Sequence, residues 1–420
     1  MHANRSTNIN PPTRFALTKG QEFAEGWPLL LSAGMGVGLS AIHGYTAGIF
    51  IGPIGRDFGW GAEKVLLGQA LISVLVGFGA PIAGRLLDRI GARPLALSGT
   101  VIIAAGTAAI GFVGPSPAAY LGCFAAVAIG IMLASAITWQ RPVAEQFQAG
   151  RGLALSLVLC GSNVAGALAP LIATFSIERW GWQAAYAILG GYMLVSALPL
   201  GWLFFRQAPA EELDQHPSNV AEPEMASEQL PDNLLETREF WLFCASFALA
   251  GMGITGYLTF LVPMLTALGF SLLLAASAVS TLSLAAIAGR IVAGLFLDHV
   301  FAPWLAALAL ALPVIGSLAV LTLPAGYAVA LFAAILVGFS TGAEFNMISY
   351  LTVRYFGLQR YGSVGGIFYG VFTLGCLGGQ QIPPLILMRG SYSDVIALLG
   401  GCFAVASGLM LFARSYPAAR

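Results

Sequence analysis

Residues 302–322 read APWLAALALALPVIGSLAVLT, twenty-one positions without one charged side chain. About twenty mostly apolar residues in a helix span the roughly 30 Å hydrocarbon core of a bilayer. Working outward, the same texture recurs along the chain. Apolar runs lie near 27–51, 64–87, 95–113, 117–138, 152–177 and 183–205, then near 240–266, 271–297, 302–322, 325–349, 361–387 and 393–414. Overall, 58% of the 420 residues are hydrophobic and 9% are charged. A soluble domain carries roughly 25% charged residues, so this composition implies lipid as the main solvent. The reading is an all-α integral membrane protein of twelve transmembrane helices.

The net charge is zero, which gives no support to nucleic-acid binding. Fifty-two glycines are spread through the apolar runs, as expected where small residues let helices approach closely. The five cysteines, Cys123, Cys160, Cys244, Cys376 and Cys402, fall inside the spans without CxxC spacing. They read as packing residues, with no metal site or cofactor expected. Residues 1–26 are polar and lack the pattern of a signal peptide, so the first helix reads as uncleaved.

Basic residues orient the spans. Of nineteen Lys and Arg, fourteen fall in the tails and alternate loops that share one side with them. Four (Arg56, Lys64, Arg179 and Arg389) fall on the other side, and Arg290 sits within a span. Both termini are therefore expected in the cytoplasm. The expected organisation is an N-tail (1–26), a six-helix bundle (27–205), an acidic cytoplasmic linker (206–239), a second bundle (240–415) and a short C-tail (416–420). The linker carries nine acidic residues from Glu211 to Glu239 and reads as a plain connector. The halves echo each other at an offset of about 210 residues. Gly84-Arg85-Leu86-Leu87-Asp88-Arg89 recurs as Gly294-Leu295-Phe296-Leu297-Asp298-His299, Gly44-Tyr45 as Gly256-Tyr257, and Arg151-Gly152 as Arg360-Tyr361-Gly362. Two pseudo-symmetric bundles suit alternating access around a shared midplane site.

The loop from Gly84 through Asp88 and Arg89 to Arg93 resembles the signature loop between spans 2 and 3 of the major facilitator superfamily. The resemblance implies a gating loop in which Gly84 permits tight helix approach and Asp88 caps a helix or pairs with an arginine. The second copy lacks the basic residues, which implies a weaker lock. Phe147 to Leu155 with Gly161 to Gly166, Tyr361 to Gly379, and Gly48 to Trp60 are similar to segments of monocarboxylate-transporter-like members. That resemblance implies proton-linked movement of small organic anions.

Ionisable side chains inside spans are costly and point to function. Arg290, in span 8, resembles the arginine that grips the substrate carboxylate in monocarboxylate and oxalate/formate carriers. A guanidinium stays charged and forms forked hydrogen bonds. The alternative is an interhelical ion pair or a group snorkelling to the interface. The resemblance breaks at Ala286, where mammalian carriers have an aspartate, and near Tyr45, where they have a lysine. Residues 361–387 lack the second basic group of oxalate/formate carriers. One buried cation favours a monoanion. Glu344, in span 10, is the candidate for proton coupling, exchanging partners with Arg290 as substrate arrives; the alternative is a static pair with Arg290 or Arg354. His43 and Tyr45 in span 1 are candidate substrate contacts, against readings as a hydrogen-bonded neutral histidine and a packing tyrosine. Gln69, Asn163, Asn346, Gln380 and Gln381 read mostly as interhelical hydrogen bonds. Arg141 and Glu145 read as an ion pair at the interface.

These residues make the expected function a proton-coupled symporter of a small organic anion, monomeric, in a bacterial inner membrane. The alternatives are a proton-driven drug or metabolite exporter, and a membrane sensor that no longer transports. No zinc pattern, phosphate loop or nucleophile elbow supports an enzyme.

Overall fold

The structure, a computed structural model, describes residues 19–147, 150–205, 237–297, 299–357 and 361–414, without the side chains of Ala80, Pro81, Asp88, Arg151 and residues 361–363. Residues 1–18 of the N-tail, the linker from 206 to 236, the C-tail, the Asp88 side chain, Asp298 and Arg360 thus lie outside the described residues. Spans 1 to 3 are Lys19–Phe58, Ala62–Ile90 and Ala92–Ile110. Span 4 is made of two pieces, Pro117–Leu133 and Ala136–Gln146. Spans 5 and 6 form the continuous run Arg151–Phe204, jointed at Gly181, whose φ of 85° breaks the helix. Spans 7 to 12 are Arg238–Ala267, Leu272–Phe296, Ala302–Thr322, Tyr327–Phe356, Tyr361–Leu387 and Tyr392–Leu411. No strand occurs among the described residues. By length and hydropathy alone ten helices among the described residues qualify as membrane-crossing. The Gly181 joint divides one of them, and Tyr361–Leu387, diluted by glycines, Gln380 and Gln381, completes the twelve.

Two features depart from the periodicity. Span 1 begins at Lys19 rather than near Trp27, because its first turns find partners in the loop before span 5. Glu22 Oε2 accepts the Gly150 N–H at 2.9 Å, and Phe23 packs on Phe147 with ring centroids 5.2 Å apart. Span 4 breaks at Ala134 and Ser135, where lipid would leave carbonyls unsatisfied. Side chains supply the missing donors: Ser40 Oγ bonds the Ala134 carbonyl at 3.1 Å, and Thr138 Oγ1 bonds that of Leu133 at 2.9 Å. The break also seats the Trp139 ring against Gly36, where no larger residue fits.

Within each bundle the helices meet backbone to backbone at glycines. In the first, Gly161 of span 5 lies on Gly34 of span 1. In the second, Gly338 and Gly342 of span 10 lie on the Leu282 and Ala286 carbonyls of span 8, and Gly375 and Gly379 of span 11 lie on Ala248 and Met252 of span 7. Close packing is therefore present at Gly161, Gly375 and Gly379, whereas Gly378 makes only ordinary contact with Met252. Gly84 differs from expectation. Among the described residues nothing lies within 4 Å of where its Cβ would stand, so Gly84 makes no close approach to them. Arg93 of that loop donates to the Trp202 carbonyl at 2.7 Å, with its guanidinium 5.6 Å from that ring's centroid, and Arg89 is exposed. Arg141 and Glu145 form the expected pair, at 3.1 Å.

The bundles touch along spans 1, 2 and 5 of the first and 7, 8 and 11 of the second. The touching points lie at mid-depth or toward the end away from the linker. Gly48 meets the Thr259 carbonyl, Gln381 Nε2 donates to the Leu66 carbonyl at 3.2 Å, and Gly166 meets Tyr45 and Ser283.

Gly161→Val forces spans 1 and 5 apart. We expect a loss of about 1–3 kcal/mol, typical of an overpacked contact, read as a lower thermal midpoint in detergent. Gly122→Val, at a position with nothing within 4 Å, leaves the midpoint unchanged.

Candidate functional site

Where the bundles meet at mid-depth, four spans converge on Arg290. Ser283, Ala286 and Arg290 share one face of span 8, since residues three and seven positions apart stack on a helix. Asn346 fixes the backbone there by donating to the Arg290 carbonyl at 2.9 Å. The side chain is only 6% exposed, and neither Nε nor Nη1 has a hydrogen-bond partner among the described residues. Its guanidinium lies 5.8 Å from the Phe345 ring centroid, a cation–π contact from span 10. Tyr45, Cys160 and Tyr369 all lie within electrostatic range of it.

Tyr45 ties this group to span 5. Its hydroxyl donates to Asn163 Oδ1 at 3.1 Å and lies within reach of Ser283. The Asn163 amide nitrogen is then a buried donor without an acceptor. Cys160 and Asn163 are three residues apart and so share the face turned toward Arg290. Gly166, three further on, lies on Tyr45 and Ser283, where a Cβ would stand 2.6 Å from the Ser283 oxygen. The site is thus rich in donors and poor in acceptors. A buried unpaired charge costs several kcal/mol, and unpaired donors cost more. A ligand with two or more anionic oxygens supplies what this arrangement lacks.

The other expected residues lie elsewhere. His43, two positions before Tyr45, points into the first bundle. Its Nε2 is 2.8 Å from Thr107 Oγ1. That hydroxyl already donates to the Ile103 carbonyl at 2.7 Å, so it accepts here and Nε2 carries the proton. His43 shares its surroundings with Thr46, Gln69, Tyr120 and Tyr186, not with Arg290. Glu344 is 1% exposed and forms no ion pair with Arg290 among the described residues. The static Arg290–Glu344 pair and the direct exchange of partners between them find no support in this geometry. Gly342 explains why: it is the residue of span 10 seated on span 8, and Glu344, two positions on, turns about 200° away. It faces Cys376 of span 11, which lies within range of its charge. Among the described residues no group of His, Cys, Asp and Glu has the makings of a metal site.

Reading residues one at a time missed Cys160, Ser283, Phe345 and Tyr369, and took Asn163 for an ordinary interhelical contact. One signal was available: Cys160, Asn163 and Gly166 form a small and polar stripe at three-residue spacing within an apolar span.

Twelve spans in two bundles around a buried, donor-rich midplane site define a membrane carrier. The family model for the Major Facilitator Superfamily matches residues 33–380, and the chain belongs to that family of transporters rather than to any enzyme class. Monocarboxylate transporter 1 of Bos taurus is 27% identical over 173 residues, 40% of this chain and 34% of that protein. The match thus spans about a third of the length of that transporter. An uncharacterised MFS-type transporter of Escherichia coli K12, YhjX, is 22% identical over 79% of this chain and 81% of its own. The crystal structure of a D-xylose–proton symporter superposes with a TM-score of 0.72 at 16% identity, covering 93% of this chain and 97% of that one, which shows the shared fold.

Gly166→Val drives a methyl group into Tyr45 and Ser283. The expected outcome is loss of transport in proteoliposomes, in protein whose thermal midpoint falls by only a few degrees.

Proposed function

We propose that this protein is a secondary transporter of a small organic monoanion, a monocarboxylate, moved together with a proton by alternating access. The observation that carries the reading is Arg290, buried at the bundle interface with Nε and Nη1 lacking acceptors. A substrate carboxylate accepts from the guanidinium, with the Asn163 amide as a further donor and the Tyr45 hydroxyl setting its orientation. Arg290 is the cationic side chain among the buried residues described, which matches one negative charge rather than two. The monocarboxylate transporters among its relatives support the substrate class, and the symporter's fold is compatible with proton coupling. We place the protein in a bacterial inner membrane as a monomer, with both termini and the linker in the cytoplasm, from the distribution of basic residues and the similarity to the E. coli protein.

Glu344 carries the coupling proton in this reading, but does so apart from Arg290. Buried without an ion pair among the described residues, its carboxylate costs several kcal/mol unless it takes up a proton. The link to the anion runs through span 10, whose next residue, Phe345, rests on Arg290. The same separation favours, as a second reading, a proton-driven exporter that uses Glu344 while Arg290 serves the fold.

Uptake of radiolabelled lactate, pyruvate, acetate and benzoate into proteoliposomes tests this, with and without an inward proton gradient. Gradient-driven uptake that falls at least tenfold in Arg290→Ala, and comparably in Arg290→Lys, is the expected result. Transport of uncharged or cationic compounds that survives Arg290→Ala would select the exporter. A second measurement concerns pH: uptake by Glu344→Gln becomes independent of the gradient, whereas full proton dependence in that variant excludes Glu344 as the coupling group.

A further inference from the structure

Away from the anion site, the outer surface carries a groove of about 620 Å³ between spans 3 and 6. Leu97, Ser98 and Val101 line it from span 3, and Leu198, Pro199 and Trp202 from span 6. The two helices meet at Gly201, where a Cβ would stand 2.9 Å from Leu97 Cδ2. Arg93, Leu97 and Val101 recur at four-residue steps and so share one face of span 3. The same step joins Leu198 to Trp202 on span 6. The end of the groove at Arg93 and Trp202 lies on the side of the linker, since span 6 closes at Phe204. There Arg93 Nη2 donates to the Trp202 carbonyl at 2.7 Å, and the guanidinium stands 5.6 Å from the centre of that ring. The last four carbonyls of a helix have no donor of their own, so this bond caps span 6. It uses one of the five guanidinium N–H groups. Arg93 is half-buried and forms no ion pair among the described residues.

Val101 and Trp202 are exposed on helices that cross the membrane, so the groove opens onto lipid. An apolar trough with a cation at one end fits a molecule with an anionic head and an apolar chain. A soluble anion leaves the trough uncovered, and a purely apolar chain leaves the guanidinium unanswered. The lining holds no acidic side chain to receive the cation of a zwitterionic head. Arg85 and Arg89, exposed at the same end of span 2, add positive charge, and basic groups at a membrane surface favour anionic lipid. We propose that the groove between spans 3 and 6 binds an anionic glycerophospholipid of the linker-side leaflet, its phosphate paired with Arg93 and one acyl chain lying along Leu97, Val101 and Leu198. The Trp202 ring sits between head and chain, where aromatic rings meet the headgroup level. The site is independent of which solute the protein carries.

The test is native mass spectrometry of the delipidated full-length protein, titrated with phosphatidylglycerol or with phosphatidylcholine of matched chains. The first phosphatidylglycerol binds about fivefold tighter than the first phosphatidylcholine, the weight of one arginine at a membrane surface. Arg93→Gln abolishes that preference, whereas Arg93→Lys and Arg89→Gln keep it. Ser98→Trp fills the groove from an exposed position with Arg93 in place, and weakens the first phosphatidylglycerol at least fivefold. Because Ser98→Trp leaves the cap on span 6 intact, it decides the matter even where Arg93→Gln fails to fold. A preference unchanged in Arg93→Gln overturns the inference and leaves a general attraction to the basic surface. Binding unchanged in Ser98→Trp overturns the seat for the chain. Displacement of bound phosphatidylglycerol by an equal concentration of glycerol phosphate assigns Arg93 to free phosphate esters instead of lipid. A dimer that dissociates in Ser98→Trp assigns the groove to a second copy of the chain, which also overturns the lipid.

Discussion

In lipid, no water is available to bond a stray amide or carbonyl, and every feature of this molecule answers to that constraint. It makes each span a helix and leaves packing, rather than a hydrophobic driving force, to hold the helices together. Packing is closest where a glycine replaces a side chain. Gly161 on Gly34, Gly342 on Ala286 and Gly375 on Ala248 set the helices at backbone contact. Where a helix does break, as at Ala134, hydroxyls from Ser40 and Thr138 take over the freed carbonyls.

The same constraint gives buried polar groups their meaning. Most hydroxyls in the spans return their proton to a carbonyl one turn back, as Thr107, Ser283 and Thr341 do, and are thereby neutralised. Among the described residues, the exceptions other than Trp139, Glu145, Thr174 and Gln380 fall in two places. Around Arg290 the unpaired atoms are donors, with Nε, Nη1 and the Asn163 amide all seeking acceptors. Around Glu344 they are oxygens, with Ser340 and Glu344, one turn apart on span 10, both seeking a donor. The two sets have opposite needs, acceptors in one and a donor in the other. Span 10 separates them by a single residue step, with Phe345 on the Arg290 side and Glu344 on the Cys376 side. A rotation of that helix, or a shift of span 11 along it, moves both sets at once.

The matches with known proteins bear on different levels. The family model and the sugar symporter fix the architecture. The monocarboxylate transporters match over a partial length and suggest a substrate class. Two departures keep the mechanism of this chain its own. Ala286 stands one turn before Arg290 without a carboxylate, and Tyr45 supplies a neutral hydroxyl in place of a cation. In the proposed reading the proton is held instead by Glu344, buried on the face of span 10 turned toward Cys376.

The sequence by itself determined the solvent, the number of spans, the twofold repeat and the two costly charges. Each of these is written in local composition, and lipid penalises any error in it heavily. Glu344 and Arg290 were visible as ionisable groups in apolar runs, because nothing else in such a run resembles them. Their relationship was not visible. Residues at similar depth on adjacent helices read as a pair from sequence, but depth is only one coordinate. The angle about the helix axis is set by the glycine of span 10 that seats on span 8, so Gly342 turned Glu344 away from Arg290. The same geometry sent His43 to Thr107 and Tyr45 to Asn163, although the two residues are neighbours in the chain. Which side chains share a site depends on contacts between distant helices, and those exist only once the bundles have packed.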